Sequence, residues 1–394
     1  MHEKKQVGAN KSGGRKVKVL YIGHYREGTG WGQAAIDYIL SMDAAGIDVV
    51  PRAVKLNSRE VDLPKRILEL ESKESLGCDV CVQHVLPHLL DYNSKFKKNI
   101  ALYATETSNF LASDWARKIN TMDEAWVINQ QMIESSRDSG VTVAVKVVPH
   151  ACDFNKFATR RPKLDIPNSQ GNFVFYFVGE HNNRKNLPAL VKAFHLEFDK
   201  NEPVSLLIKT HMYGVSPDDC ANIVGDMCNQ IKASLKLYPS KEDYKEDLII
   251  TDYVSEEDML RIHQTCDCFV MPSYGEAWCI PAFDAMGFGS TPICSNVGGM
   301  SDFLQNGGGV LIDGRWEPVE GMTNTFGDIF TGNEDWYSIN VRDLQKQMRN
   351  VYEMHKNASS EYSDIKRQGL SSAQDYSYDN VGKIIKELLT DVNN

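Results

Sequence analysis

No apolar run among the 394 residues approaches the 18 or so needed to span a bilayer, so no membrane span is expected. The opening MHEKKQVGANKSGGRK has no apolar core of the kind a secretory leader carries, and it reads as a flexible tail over 1–15. Basic charge is not in surplus. Lys and Arg total 43 against 53 Asp and Glu, for a net charge of −10. That balance argues against nucleic acid as the main partner and leaves room only for a local basic pocket that takes a small anion. The nine cysteines are scattered, and Cys78-x-x-Cys81 has no second pair at zinc spacing. They read as free thiols of a reducing cytoplasm, with no metal site. His84 and His88 stand four apart, but Pro87 between them argues against a shared helical face. What remains, 42% hydrophobic and 24% charged, is ordinary for a globular chain long enough for two domains.

Short apolar runs alternate with amphipathic stretches, the pattern of an α/β protein with parallel sheets. Strands are expected at 16–23, 47–54, 79–85, 99–105, 124–128 and 145–149, which make one doubly wound unit over 16–156. The stretch 157–172, FATRRPKLDIPNSQGN, is rich in Pro, Asn and charge and reads as a linker. The pattern restarts over 173–375, with strands at 173–179, 205–210, 247–254, 267–273, 290–295 and 309–312. Residues 313–337 look irregular, KEDYKEDL (241–248) reads as a solvated charged turn, and a last helix falls within 376–394. Ser255 with Asp258 three residues on is a helix-start signal. Trp115, Trp126 and Trp336 read as core or lid aromatics. The expected architecture is two Rossmann-like domains facing a cleft, with ligands at the carboxyl ends of the strands.

The candidate chemistry follows those strands. In PSYGEAWCIPAFDAMGFGSTP (272–292), Pro281 suits the first position of a helix that ends at Gly287 or Gly289. Glu276 then lies in the loop before the helix and Asp284 in its first turn, on the order of 10 Å apart at ~1.5 Å rise per helical residue. The helix start between them favours an anion. Carboxylates at both ends and an anion site in the middle suit a nucleoside diphosphate sugar, with its ribose diol, diphosphate and hexose hydroxyls. Arg184 and Lys185, between a strand and a helix, are placed to meet a diphosphate and leaving-group charge. After the first strand, Gly28, Thr29, Gly30 and Gly32 form a glycine-rich loop that lets backbone approach a ligand. Glu106 follows the strand 99–105 and could bind sugar or acceptor hydroxyls.

The segment SYGEAWCIPAFDAMGFGSTPICSNVGGMSDFL resembles the signature of retaining glycosyltransferases of family 4, which have the two-domain GT-B fold. Glu276, Pro281, Ala285, Met286, Gly289 and Pro292 match in order. The resemblance covers most of 17–392 and is strongest over 178–305. It implies that Glu276 contacts the donor sugar, that Asp284 stands where the family usually has a ribose-binding glutamate, and that Lys185 binds phosphate beside Arg184. It places Ala277, Trp278 and Cys279 in the donor loop. Ala277 and Cys279 replace usual glycines, Trp278 a usual phenylalanine, Glu180 a frequent arginine and Glu106 a frequent histidine. It reads the 28–32 loop as lying near donor phosphate and acceptor, and the last helix as bracing the N-terminal domain.

The implied function is retaining transfer of a hexosyl group from a UDP- or GDP-linked sugar to a hydroxyl of a saccharide, a lipid-linked saccharide or a protein. The setting implied is cytoplasmic glycan or polysaccharide synthesis, without metal or cofactor. The modest basic content of 55–73 leaves peripheral membrane contact open. Three alternatives stand beside this reading. A catalytically degenerate nucleotide-sugar-binding protein would retain the site without transfer. An NAD-dependent oxidoreductase would use Gly28 to Ala34, although the second strand does not end in the acid that binds ribose. A two-carboxylate glycosidase would leave Lys185 without a role.

Overall fold

The computed structural model describes residues 17–55, 61–323 and 325–390. The tail expected over 1–15 and part of the 55–73 segment lie outside the described residues. Six strands, β1 (Lys18–Gly23), β2 (Asp48–Ala53), β3 (Val80–His84), β4 (Lys98–Tyr103), β5 (Glu124–Val127) and β6 (Ala144–Val147), form a parallel sheet in the order β2-β1-β3-β4-β5-β6. A second parallel sheet holds β7 (Phe173–Glu180), β8 (Val204–His211), β9 (Asp247–Ile250), β10 (Cys268–Met271), β11 (Ile293–Ser295) and β12 (Val310–Ile312) in the order β12-β11-β10-β7-β8-β9. Strand direction of growth reverses between β1 and β3 in the first sheet and between β7 and β10 in the second. The loops leaving those strands are where an open parallel sheet leaves a crevice for a ligand.

The apolar runs form strands because both faces of each sheet are covered: Phe175, Tyr176 and Phe177 on β7 are all fully buried. One apolar cluster (Val19, Tyr21, Val80, Ile100, Trp126) fills one face of the N-terminal sheet and takes in Val381, Ile385 and Leu389. Val381 and Ile385 belong to helix Tyr378–Leu388, and Leu389 caps it; the helix packs on helix Gly30–Ala44 so tightly that a Cβ on Gly382 would lie 2.2 Å from the Ser41 carbonyl oxygen. The chain therefore crosses between domains twice. The two crossings run side by side as a parallel bridge, with Cys152 N–H donating to Tyr376 O (2.8 Å) and Tyr378 N–H to Cys152 O (3.1 Å).

Three expectations are corrected. Residues 313–337 are not irregular throughout: β13 (Gly314–Pro318) and β14 (Asp335–Ile339) pair antiparallel, and their long separation in sequence hides the hairpin. The strand expected over 247–254 stops at Ile250, since β8 offers no partner beyond Lys209–Ile250 and Tyr253 stands in solvent. KEDYKEDL is only partly solvated. Tyr244 and Lys245 are buried, and Asp247 is held by His195 (2.8 Å) and Lys232 (2.6 Å). The last helix, Tyr378–Leu388, lies within 376–394. The Ser255 signal does form a cap: its Oγ accepts from Asp258 N–H at 3.1 Å. All nine cysteines are free and buried. Among the described residues, no helix is long and apolar enough to cross a membrane.

Candidate active site

Three loops meet in the cleft. After β7, Asn182 caps a short turn (Asn183–Lys185) by accepting from Lys185 N–H at 3.2 Å. Asn186 then takes a left-handed φ of 50° and donates to Pro272 O at 3.1 Å. That bond ties the Arg184–Lys185 turn to the loop after β10. In that second loop, Gly275 lies so close to the loop after β4 that a Cβ would fall 1.9 Å from Glu106 O. Glycine at 275 is thus what lets a C-terminal loop touch an N-terminal one.

The side chains converge on Glu276, which is 6% exposed. Lys185 Nζ lies 2.6 Å from Glu276 Oε1 and Arg184 Nη1 3.2 Å from the same oxygen. Arg184 also donates from Nη1 to Gly275 O at 2.5 Å and faces Glu106 Oε1 from Nη2 at 3.3 Å. Arg184 therefore bridges two carboxylates, one from each domain. Burial pushes the Glu276 carboxyl up, but Lys185 and Arg184 more than offset it and hold it at about 2. Burial disfavours the Arg184 charge, yet Glu106 and Glu276 raise its affinity for the proton. Glu276 and Arg184 thus stay charged at neutral pH, in a cluster that sets two basic side chains against two carboxyl side chains.

Asp284 stands elsewhere. Helix Ile280–Phe288 begins one residue before Pro281 and is capped after Phe288 by the left-handed Gly289. Asp284 consequently lies in the second turn, not the first. It is buried and paired with Lys156 Nζ at 2.5 Å, and that pairing overcomes the burial of Lys156 to raise its pKa. Both line a cavity of about 250 Å³ between the domains, with Gln33, Asp37, His150 and Trp278. Asp37 anchors its far wall, bonded to His150 Nε2 (2.9 Å), to Tyr378 Oη (2.6 Å) and to Gln33 Nε2 (3.1 Å).

The rest of the loop that carries Glu276 divides its work. Ala277 O accepts from Asn129 Nδ2 at 2.7 Å across the domain boundary. Trp278 is buried against His150, Phe283 and Phe303, with its Nε1 unpartnered. Cys279 takes φ 72°, the left-handed region, at a place where the resembling family has glycine. In the glycine-rich loop, Thr29 caps helix Gly30–Ala44 by accepting from Gly32 N–H at 3.1 Å. A Cβ on Gly32 would meet Glu27 O at 2.0 Å, so that glycine serves the turn itself. Gly30 faces Ile280 across the cleft, and Gly28 abuts Val61.

Reasoning from sequence missed Lys156, the Asp37–His150–Tyr378 group, and the inter-domain bonds of Asn129 and Gln131, which accepts from Gly298 N–H at 2.8 Å. Asn129 and Gln131 follow β5 at its carboxyl end, a position that carried the signal. Lys156 sits where the chain crosses between domains, which marks no chemistry in sequence.

The fold is shared with solved glycosyltransferase structures. HepE of Anabaena in complex with UDP superposes with a TM-score of 0.65 at 11% identity, over 95% of this chain and 100% of that one. Sucrose-phosphate synthase from Thermosynechococcus elongatus gives 0.61 at 13% identity, over 96% and 99%. The architecture is thus GT-B, two Rossmann-like domains around a cleft. In sequence, the chain is 22% identical over 321 residues to the serotype-specific mannosyltransferase WbdA of Escherichia coli, across 79% of this chain and 33% of that protein. It spans about a third of the length of that relative. Residues 160–320, the part that holds Arg184, Lys185, Glu276 and Asp284, match the family described as glycosyl transferases group 1.

Proposed function

We propose that the protein is a retaining glycosyltransferase that moves a hexosyl group from a UDP- or GDP-linked sugar to a hydroxyl of a saccharide, lipid-linked saccharide or protein acceptor, in cytoplasmic glycan or polysaccharide synthesis. The observation that carries the reading is the Arg184–Lys185–Glu276 cluster, at the carboxyl ends of β7 and β10 and inside the glycosyl transferases group 1 match. The mannosyltransferase relative and the UDP complex of HepE support the choice of a nucleotide-sugar donor.

On this reading Lys185 and Arg184 bind the diphosphate, and Glu276 holds hexose hydroxyls. Asp284, reached from the inter-domain cavity, binds the ribose. The bond from the anomeric carbon to the diphosphate oxygen breaks as the acceptor oxygen bonds to that carbon on the same face. The acceptor proton passes to the departing phosphate oxygen. Lys185 and Arg184 stabilise the negative charge that develops there, and no other cation is invoked. Donor binding has to draw Lys185 away from Glu276 and Lys156 away from Asp284, whose ion pairs occupy the same groups. Glu106, joined to Glu276 through Arg184, faces the acceptor side.

The test is product analysis. The protein is incubated with UDP-glucose or GDP-mannose and a panel of saccharide acceptors, and the anomeric configuration of any product is read by proton NMR. A product that keeps the donor's configuration is expected. An inverted product would sink the retaining mechanism, and NAD-dependent oxidation of a substrate would replace the whole reading.

A further inference from the structure

Beyond the two parallel sheets, the hairpin β13–β14 touches both loops that carry the clustered carboxylates. Trp336 is buried and stacks on Tyr274, with ring centroids 4.2 Å apart and planes at 15°. Tyr274 stands two residues before Glu276. The next residue, Tyr337, donates its N–H to Tyr274 O at 2.7 Å. The residue before, Asp335, exchanges two hydrogen bonds with Ser108 of the N-terminal domain. Ser108 N–H donates to Asp335 O at 2.8 Å, and Asp335 N–H donates to Ser108 Oγ at 2.9 Å. Ser108 stands two residues after Glu106. Three consecutive residues of β14 thus fasten the Glu106 loop to the Glu276 loop. The hairpin's connection reinforces the fastening. Asn183 Nδ2, beside Arg184, donates to Glu320 O at 3.2 Å, and Ile329 and Phe330 wall a cavity of about 30 Å³ next to Glu106.

We propose that β14 is a positioning element for the transfer reaction, with Trp336 and Ser108 setting the separation of Glu106 from Glu276. The proposal rests on the glycosyltransferase reading above. Arg184 also links the two loops, through Glu106 at 3.3 Å, Glu276 at 3.2 Å and Gly275 O at 2.5 Å, but those contacts belong to a side chain that must respond to the donor. The β14 contacts are two backbone bonds at 2.7 and 2.8 Å, one bond from backbone to the Ser108 hydroxyl at 2.9 Å and a ring stack, and none involves a group assigned to the donor. They can hold the loops while the ion pairs rearrange. Trp336 acts through Tyr274 and need not touch substrate. Loosening the tie costs alignment of the acceptor hydroxyl and opens the cleft to water, so donor is spent without transfer.

The experiment uses the full chain and its Trp336→Ala, Trp336→Phe and Ser108→Ala variants. Two quantities are read: the shift of the unfolding midpoint by UDP and by GDP, and the diphosphate released from UDP-glucose and GDP-mannose with and without methyl α-mannoside. Trp336→Ala should keep the nucleotide-induced shift and lower the ratio of transfer to hydrolysis about tenfold, as expected for a small misplacement of reacting groups. Trp336→Phe should restore most of that ratio, which a loss of stability alone would not produce. If the wild type hydrolyses donor without using methyl α-mannoside, Trp336→Ala should raise hydrolysis at least about threefold through the admitted water. Should Trp336→Ala fail to fold, Ser108→Ala, which deletes one hydroxyl, carries the same expectation at about threefold. Normal nucleotide binding with both ratio and hydrolysis unchanged in Trp336→Ala and Ser108→Ala would overturn the positioning role. A wild type that neither binds UDP or GDP nor consumes donor would instead remove the reading beneath it.

Discussion

Glu276 holds the largest concentration of opposed charge at the cleft, and its ionisation links the site to stability. Its folded pKa of about 2 lies below the ordinary 4.5. The unfolded chain therefore takes up the proton first as pH falls. The stability contributed by Glu276 is complete above about 4.5 and is lost as pH drops toward 2, a total on the order of 3 kcal/mol. His263, which sits 2.7 Å from Tyr176 Oη, adds to the acid loss in a higher window. Burial lowers its pKa from 6.5 to about 4, so its contribution is whole above 6.5 and fades toward 4. Chemical unfolding measured between pH 7 and 3 should show stability falling through both windows. In Glu276→Gln the fall below pH 4.5 should flatten, while stability at pH 7 drops by about 3 kcal/mol because Lys185 and Arg184 lose their buried partner. A pH profile identical to the wild type would show that Glu276 is not held ionised by them. Cys279 makes a different residue-scale case. Its φ of 72° is costly for a side chain with a Cβ. Cys279→Gly should relieve about 1 kcal/mol of strain and offset the loss of a small buried thiol, leaving stability nearly unchanged. Cys279→Val, β-branched in the same conformation, should cost about 2 kcal/mol or more in denaturant unfolding.

Among the elements, helix Tyr378–Leu388 depends most on a single residue. A Cβ on Gly382 would stand 2.2 Å from Ser41 O, and that oxygen belongs to the rigid helix Gly30–Ala44. Gly382→Ala must push the helices apart, and it should destabilise the N-terminal domain by about 1–3 kcal/mol despite better helix propensity. Stability equal to or above the wild type would mean that the contact yields freely. Elements of this kind were the legible part of the fold. Long apolar runs such as FVFYFVG have one outcome in a doubly wound protein, and the Ser255–Asp258 spacing marked a helix start that the structure places at the next residue. The β13–β14 hairpin was not legible. GRWEP and DWYSI are short, mixed in polarity and far apart, and β14 is also held by Tyr274 and Ser108, contacts that exist only in three dimensions. In the site, Glu276, Arg184 and Lys185 could be picked out because each follows a strand end. The partner of Asp284 could not, since Lys156 comes from a crossing segment whose approach to helix Ile280–Phe288 exists only in three dimensions.

At the scale of the whole molecule, the site is a property of the two domains together. Arg184 reaches Glu106 in the other domain, Asn129 holds Ala277 O, and the cavity beside Asp284 takes walls from both. The paired crossings at Cys152 and Ser377 are bonded to each other where the chain passes between the two sheets. The central claim is that a nucleoside diphosphate occupies this cleft on the charges of Lys185 and Arg184. The most direct test follows thermal unfolding of the wild type and of Lys185→Ala against UDP, GDP, ADP and NAD. A ligand at 100 times its Kd stabilises the native state by about 2.7 kcal/mol, which is readily seen in the midpoint. The account predicts a shift with UDP or GDP that largely disappears in Lys185→Ala. A shift with NAD alone, or a nucleotide shift that survives unchanged in Lys185→Ala, would contradict it.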